Sequence, residues 1–290
     1  MAQLNRPKFT STIINADWTA AKRAENGGHT LRMNALPQNV ATPPARSTAL
    51  VTRPAAFKAA IVQRDWSPSA TVTAEGVELP TALDRRFVVL REPSSVQARS
   101  YRLLQHRLAN HRSMHQGSTQ IIAVTSAKPG EGKTTCAINL ALALAEASSA
   151  RVLLIEANLS RPALGSLFGI APSSFMDRLV QHLDATPPYP VAAVCGSRLQ
   201  VAALRSTPPQ SFRLDRALLQ SALKGLRRCY DHIIIDAASV LESADVDVVS
   251  SCVDGVVVTA RAGKSNKSAV QSAVTQLRPA TVLGVVLLDT

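Results

Sequence analysis

The segment of residues 121–147, IIAVTSAKPGEGKTTCAINLALALAEA, constrains the fold more than any other part of the chain. It begins with an apolar run rich in β-formers, passes through a loop of small residues, and ends in a long run of helix formers. The loop fits the pattern (A/G)-x4-G-K-(S/T), with Ala127 in the first position and Lys133 and Thr134 in the last two. The segment therefore predicts a strand, a glycine-rich turn and a helix in direct succession.

Such a turn is suited to binding phosphate. Glycine lets successive backbone N–H groups point at one anion, and the start of the helix adds a partial positive charge. We expect Lys133 to reach the β- and γ-phosphates of a nucleotide and the Thr134 hydroxyl to bind Mg²⁺. The predicted nucleotide-binding residues are Ala127, Lys128, Pro129, Gly130, Glu131, Gly132, Lys133, Thr134 and Thr135. A plain glycine turn before a core helix is the alternative, which the flanking strand and helix disfavour.

Strands and helices alternate along the chain from residue 83 onward. Nearly continuous apolar runs, separated by helical patterns, are RVLLIEANL, DHIIIDAA, DGVVVTAR and ATVLGVVLL. These runs predict an α/β fold with a mostly parallel sheet and helices on both faces. We also predict a short strand at residues 87–90 and another near residues 199–204. Residues 1–82 are rich in proline and show no sustained period, so we predict a mostly disordered region before a nucleotide-binding domain at 83–290.

The composition limits the classes of partner. The formal net charge of +12 suits nucleic acid or an anionic membrane surface. The basic residues are scattered, however, and no aromatic residues alternate with them, so nucleic acid is not expected. The four cysteines lack metal-ligand spacing, which indicates free thiols in a reducing cytosol. No secretion signal or run of about 20 apolar residues is present, so we expect membrane contact only at the periphery or through a partner.

Two further strands carry a carboxylate near their ends. Asp236 follows HIII, and Glu156 follows VLLI. Because ligands bind at the carboxyl ends of parallel strands, we predict Asp236 as a second Mg²⁺ ligand with Thr134. A turn or helix-capping aspartate is the alternative. Lys133, Asp236 and Glu156 are the predicted catalytic residues, with Glu156 orienting an attacking hydroxyl or holding Mg²⁺.

Three residues after a later strand, Arg261, Gly263 and Lys264, fall at the same predicted edge of the sheet. They are candidates for contact with ribose or phosphate. A solvated loop is an equally good interpretation of this segment.

The order of these motifs resembles that of the bacterial tyrosine kinases (BY-kinases) of capsule and exopolysaccharide biosynthesis. These belong to a deviant P-loop (Walker A) group that includes partition and division-site ATPases. The resemblance runs from about residue 83 to the end and includes LDRRFVVLREPSSVQARSYRLLQHRL, LLIEANLSRP, YDHIIIDAASVL and VDGVVVTARAGKS. It implies a P-loop NTPase fold, ATP and Mg²⁺ as cofactors, and tyrosine autokinase activity. It also implies homo-oligomers, a membrane chain-length regulator (co-polymerase) as partner, and a cytoplasmic position at the inner membrane through that partner.

Two motifs depart from the family pattern in ways that bear on catalysis. Glu156 and Asn158 stand where the family carries D-x-D, so one of the two charges is lost. Asp236 is kept from the D-T-P-P motif, but Ala237 and Ala238 follow it.

Other departures bear on assembly and on the acceptor. The helix that usually reads E-x-x-R-x-x-R has Arg99, Arg102 and Gln105, which would bring like charges together in a family-type ring. The usual C-terminal tyrosine cluster is missing. Leu288 stands where an asparagine usually reads adenine.

Three functions remain open on the sequence alone. The first is a tyrosine kinase that regulates exopolysaccharide polymerisation and export, with its acceptor tyrosine on another protein. The second is a catalytically impaired pseudokinase that binds nucleotide and docks on the same partner. The third is a partition-type ATPase on DNA or membrane. This last function explains the charge but not Pro129, which replaces the first glycine of that group's motif.

Overall fold

The computed structural model describes residues 12–14, 71–114, 119–147, 150–170, 175–181, 186–204 and 213–288. All of them belong to one of the two units into which the chain divides, formed by Met1–Asn15 and Arg64–Thr290. The other unit, Ala16–Gln63, lies outside the described residues, as does most of the region predicted to be disordered.

The described ranges contain nine strands and eight helices. The strands are β1 Thr12–Ile14, β2 Val72–Val77, β3 Ile121–Ser126, β4 Val152–Ala157, β5 Tyr189–Val194, β6 Leu199–Ala202, β7 His232–Ser239, β8 Gly255–Arg261 and β9 Val282–Leu288. The helices are α1 Val88–Arg91, α2 Val96–Met114, α3 Lys133–Ala147, α4 Leu164–Phe168, α5 Phe175–Val180, α6 Arg216–Leu226, α7 Asp245–Ser250 and α8 Lys267–Gln276. Of these, none is long and apolar enough to cross a membrane.

The nine strands form one sheet in the order β1-β9-β8-β3-β7-β4-β6-β5-β2. Pairing is parallel from β9 to β6, whereas β1 and β5 run antiparallel to β9 and β6. The predicted α/β fold with a mostly parallel sheet is confirmed. Because β4, β7, β3 and β8 are parallel neighbours, the loops that follow them meet at one edge of the sheet.

Apolar side chains cover both faces of the sheet. On β3, Ile121 and Ala123 belong to one buried cluster, while Ile122 and Val124 belong to the other. This alternation follows from the two-residue period of a strand. It explains why the central strands are apolar without interruption, since neither of their faces meets water.

The strand predicted at residues 87–90 is wrong, because Val88–Arg91 is a short helix. The Val89 N–H donates to the side-chain oxygen of Asn139 on α3 (2.9 Å), and the Arg91 N–H donates to the Phe87 carbonyl (2.9 Å). Phe87 packs edge-on against Phe168, with ring centroids 5.0 Å apart. Packing on α3 and α4 therefore overrides the β preference of two adjacent valines.

Three strands of the sheet were not foreseen, namely β1, β2 and β5. Strands β1 and β2 lie within residues 1–82, where β1 pairs antiparallel with β9 and β2 pairs in parallel with β5. Helix α5 and strand β5 lie within residues 171–212, where only the later strand, β6, was predicted. Pro190 within β5 and the prolines before it hide the strand pattern, since proline normally argues against a strand.

Candidate functional site

The loop between β3 and α3, residues 127–132, turns through two glycines. Gly130 and Gly132 have φ angles of 76° and 87°, in the left-handed region that side chains disfavour. Space is also limited at Gly132, because an added β-carbon would lie 2.2 Å from the Cδ1 atom of Leu288. Helix α3 begins at Lys133, directly after this turn. The strand, turn and helix therefore follow one another as the sequence predicts, and we call residues 127–132 the phosphate loop.

A buried glutamate holds the phosphate loop in place. The Lys128 N–H donates to Glu131 Oε2 (2.8 Å), and the Ser265 hydroxyl donates to Glu131 Oε1 (2.5 Å). Glu131 is only 2% exposed. Glu131 was predicted to bind nucleotide, but its carboxylate is engaged in hydrogen bonds within the protein. These bonds join the loop after β3 to the loop after β8. Ser265 lies 134 residues away from Glu131 in sequence, so no local pattern signals the contact.

Lys133 is buried at the start of α3, where it is 7% exposed. Burial lowers the pKa of its ammonium, while the charge of Asp236 acts in the opposite direction. Arg161, Glu131 and Glu242 also act on it electrostatically. A bound anion would stabilise a buried cation in this position, because its charge replaces the solvation that the ammonium loses on burial. Glu242 follows β7 outside any recognisable motif, so its place near Lys133 could not be predicted from the sequence.

Asp236 lies on β7, in register with Val124 of β3 and Glu156 of β4. It is fully buried, and neither carboxylate oxygen completes a hydrogen bond. Burial raises the pKa of Asp236 to about 7, although the nearby Thr134 hydroxyl and Lys133 ammonium act to lower it. A buried carboxylate without a hydrogen-bond partner is costly unless a ligand completes the site.

The residues around Asp236 fit Mg²⁺. A carboxylate and the Thr134 hydroxyl supply the oxygen ligands that this ion prefers, and Mg²⁺ commonly keeps the rest of its shell as water and nucleotide phosphates. No cluster of three or more His, Cys, Asp or Glu residues suited to a metal occurs within the described part of the chain. The arrangement therefore suits an ion that arrives with a nucleotide.

Glu156 is fully buried at the end of β4. One carboxylate oxygen accepts from the N–H groups of Leu164 (2.7 Å) and Ala163, and the other accepts from the N–H of Leu204 (3.0 Å). Burial raises the pKa of Glu156, against the effect of these three hydrogen bonds. The side chain thus ties β4 to the start of α4 and to the end of β6. Its catalytic role, expected from sequence, stays a prediction.

Replacing Glu156 with glutamine tests this structural role. We expect Glu156→Gln to lower the free energy of unfolding by about 2 kcal/mol, because the new amide N–H₂ would face a backbone donor. Urea unfolding measures the change, with Glu92→Gln at an exposed position as the matched control. Unchanged stability together with reduced turnover would instead assign Glu156 to the chemistry.

The other residues singled out from the sequence divide between the site and its surroundings. Lys264 reaches the phosphate loop, with its Nζ 3.5 Å from the Gly130 carbonyl oxygen. Arg161 is exposed but lies within electrostatic reach of Lys133. Asn158 is buried, and its carbonyl accepts from the Arg161 N–H (3.2 Å).

Helix α2 presents a buried face and an exposed face. Arg102 makes a two-point ion pair with Glu146 of α3, at 2.7 and 3.0 Å, and also donates to the Pro93 carbonyl. On the exposed face, the apolar residues Val96 and Leu103 are 50% and 48% exposed. The arginine kept from the family pattern is therefore engaged within the chain.

The sequence of residues 122–290 matches the model of the CobQ/CobB/MinD/ParA nucleotide binding domain. The chain is 27% identical over 187 residues to the tyrosine-protein kinase YwqD of Bacillus subtilis, covering 64% of this chain and 77% of YwqD. It is 30% identical over 174 residues to the tyrosine-protein kinase CpsD of Streptococcus pneumoniae serotype 4, covering 58% and 75%. The succinoglycan biosynthesis transport protein ExoP of Rhizobium meliloti is 28% identical, but the chain spans only 26% of its length.

Solved structures with a similar fold include kinase domains. The chimerical protein CapA2B2 aligns with a TM-score of 0.61 at 22% identity, covering 73% of this chain and 91% of that one. The kinase domain of Escherichia coli tyrosine kinase ETK aligns with a TM-score of 0.59 at 23% identity, covering 69% and 78%. At these identities the structural similarity establishes the fold.

Proposed function

Because the chain belongs to the CobQ/CobB/MinD/ParA nucleotide-binding family, and its relatives include bacterial tyrosine kinases and a succinoglycan biosynthesis transport protein, we propose that it binds ATP with Mg²⁺ and acts in exopolysaccharide or capsule biosynthesis. The observation that carries this proposal is the group formed by Lys133, Thr134 and Asp236. A buried cation and a buried carboxylate without a hydrogen-bond partner lie together at the end of the phosphate loop.

Each residue of this group has a distinct task in the proposal. The backbone N–H groups of the phosphate loop and Lys133 bind the phosphates, and Thr134 and Asp236 hold Mg²⁺. When bound, the ion supplies charge neutralisation on the phosphates. The protein contributes position and a water-poor surrounding rather than a covalent step.

The acceptor in this proposal is a tyrosine on another protein. The sequence contains three tyrosines, Tyr101, Tyr189 and Tyr230, which are 5%, 2% and 2% exposed. A phosphoryl acceptor must reach the nucleotide, and these hydroxyls lie in the core. Autophosphorylation of the folded chain, which the family resemblance implied, therefore receives no support from its own tyrosines.

A second candidate function is a nucleotide-binding module with little or no turnover. The hydrogen bonds of Glu156 favour this function. Three backbone N–H groups donate to its carboxylate, which leaves it less able to take part in phosphate transfer. Asn158 beside it carries no charge to replace the second aspartate of the family pattern. Nucleotide binding would then change the docking of the protein on its partner rather than transfer phosphate.

The proposed partner is a membrane protein that controls polysaccharide chain length. Support comes from ExoP, which is named a succinoglycan biosynthesis transport protein, and from the exposed apolar residues Val96 and Leu103 on α2. The proposed position is cytoplasmic, at the inner membrane through that partner. Homo-oligomers remain part of the proposal, although Arg102 is engaged by Glu146.

Transfer of phosphate to a generic acceptor distinguishes the two candidates. We expect purified protein with Mg²⁺ and labelled ATP to phosphorylate a random copolymer of glutamate and tyrosine, and to leave its own three tyrosines unmodified by mass spectrometry. ATP binding without phosphate transfer would favour the binding module. Phosphate on Tyr101, Tyr189 or Tyr230 of the folded protein would contradict the proposal of an external acceptor.

A further inference from the structure

Residues 261–265, which we call the β8 loop, lie against the phosphate loop. Besides its bond to Glu131, the Ser265 hydroxyl accepts from the Arg261 N–H (2.8 Å), so the β8 loop folds back on itself. At its other end the Ala262 N–H donates to the carbonyl of Leu288 on β9 (2.8 Å). The β8 loop is therefore fixed at both ends, and one of its anchors is a buried carboxylate of the phosphate loop.

This anchoring places Lys264 over Gly130. The Lys264 Nζ lies 3.5 Å from the Gly130 carbonyl oxygen, at the long end of the hydrogen-bond range. It would lie 2.6 Å from a β-carbon added to Gly130. The absence of a side chain at Gly130 thus leaves the space that the ammonium occupies. Lys264 is exposed, and no carboxylate of the described residues forms an ion pair with its ammonium.

Two carboxylates near the phosphate loop are already engaged or belong to the metal site, and a third, that of Glu242, acts on Lys133. Glu131 accepts from Lys128 and Ser265, and Asp236 lies beside Lys133 and Thr134. A second cation at the rim of an anion-binding loop is best balanced by an anion in that loop.

We propose that Lys264 binds a phosphate group of the nucleotide as a second cation beside Lys133, and that the hydrogen bond between Ser265 and Glu131 positions it. The inference rests on the proposed function and assigns a further residue to the same site. It makes the β8 loop a determinant of selectivity, because Lys264 favours nucleotides with more than one phosphate. Because the β8 loop leads directly into α8, a phosphate bound by Lys264 would also contact the segment from which α8 begins.

Calorimetric titration with Mg²⁺–ATP and with AMP tests the role of Lys264. We expect Lys264→Ala to weaken ATP binding about 10-fold and to leave AMP binding unchanged, because one charge-assisted contact to the outer phosphates is lost. Lys264→Arg should restore most of the affinity. Lys267→Ala, at an exposed lysine three residues further on, is the matched control and should bind like the parent.

The apoprotein separates binding from support of the loop. Lys264→Ala should leave its melting temperature unchanged, whereas Ser265→Ala should lower it and also weaken ATP binding, because Glu131 loses a partner. Equal ATP affinity of Lys264→Ala and the parent, or an equal loss for AMP, would overturn the role of Lys264 alone. A parent protein that fails to bind ATP would overturn the proposed function and this inference together.

Discussion

Lys133→Ala is expected to weaken binding of Mg²⁺–ATP by about 100-fold or more, as measured by titration with a fluorescent ATP analogue. The reason is the loss of a buried ammonium at the start of α3, where charge-assisted contacts with phosphate contribute about 1.5–3 kcal/mol each. The same substitution should not unfold the protein. Burial already disfavours the Lys133 charge in the apoprotein, as the lowered pKa indicates.

The control for this result is Lys224→Ala, at an exposed lysine of α6. It removes one positive charge from the protein without touching the phosphate loop, so it should bind ATP like the parent. If Lys133→Ala and Lys224→Ala bound ATP equally well, the assignment of the phosphate site would be refuted. Circular dichroism of both variants would check that the fold is intact.

Asp236→Asn is expected to stabilise the apoprotein at pH 8 while removing the Mg²⁺-dependent part of ATP binding. The pKa of Asp236 is about 7 in the folded protein, compared with an ordinary value of 3.8. The folded state therefore holds this proton more tightly than the unfolded state does. The free energy of unfolding is therefore expected to fall as pH rises from 4 to 7. Above pH 7 the folded protein bears the full cost of an ionised, buried Asp236.

Asparagine at position 236 avoids the cost of burying an ionised carboxylate, because its side chain is never charged. Urea unfolding at pH 4 and pH 8 should show a gain of about 2–4 kcal/mol for Asp236→Asn at pH 8 and little difference at pH 4. Asp247→Asn, at an exposed aspartate of α7, is the control and should change neither stability nor binding. A destabilised Asp236→Asn protein at pH 8 would mean that the carboxylate supports the fold rather than a ligand.

The parts of the site that could be predicted from the sequence are those determined by residues close together in the chain. The phosphate loop follows from a pattern that spans residues 127–134, and the position of Asp236 follows from the apolar run before it. Both depend on rules that act between near neighbours, such as glycine at positive φ and buried strands in a parallel sheet.

The parts that could not be predicted depend on distant contacts. From the sequence, Glu131 is an ordinary loop residue. Its structural role depends on a hydrogen bond from Ser265, which is 134 residues away. The short helix at Val88–Arg91 reads as a strand because its support comes from Asn139 on α3. Glu156 fits a catalytic pattern by position, but its partners at Leu164 and Leu204 come from two other elements.

The order of strands in the sheet has a consequence for synthesis of the protein on the ribosome. β3 carries the phosphate loop, yet its neighbours in the sheet are β7 and β8, which are translated about a hundred residues later. Ser265 and Leu288, which contact the phosphate loop, come later still. Pairing across such separations is slow, because a long stretch of chain must close first. The nucleotide site is thus among the last parts of the nascent chain to form, and ATP can stabilise the finished domain without guiding its early folding.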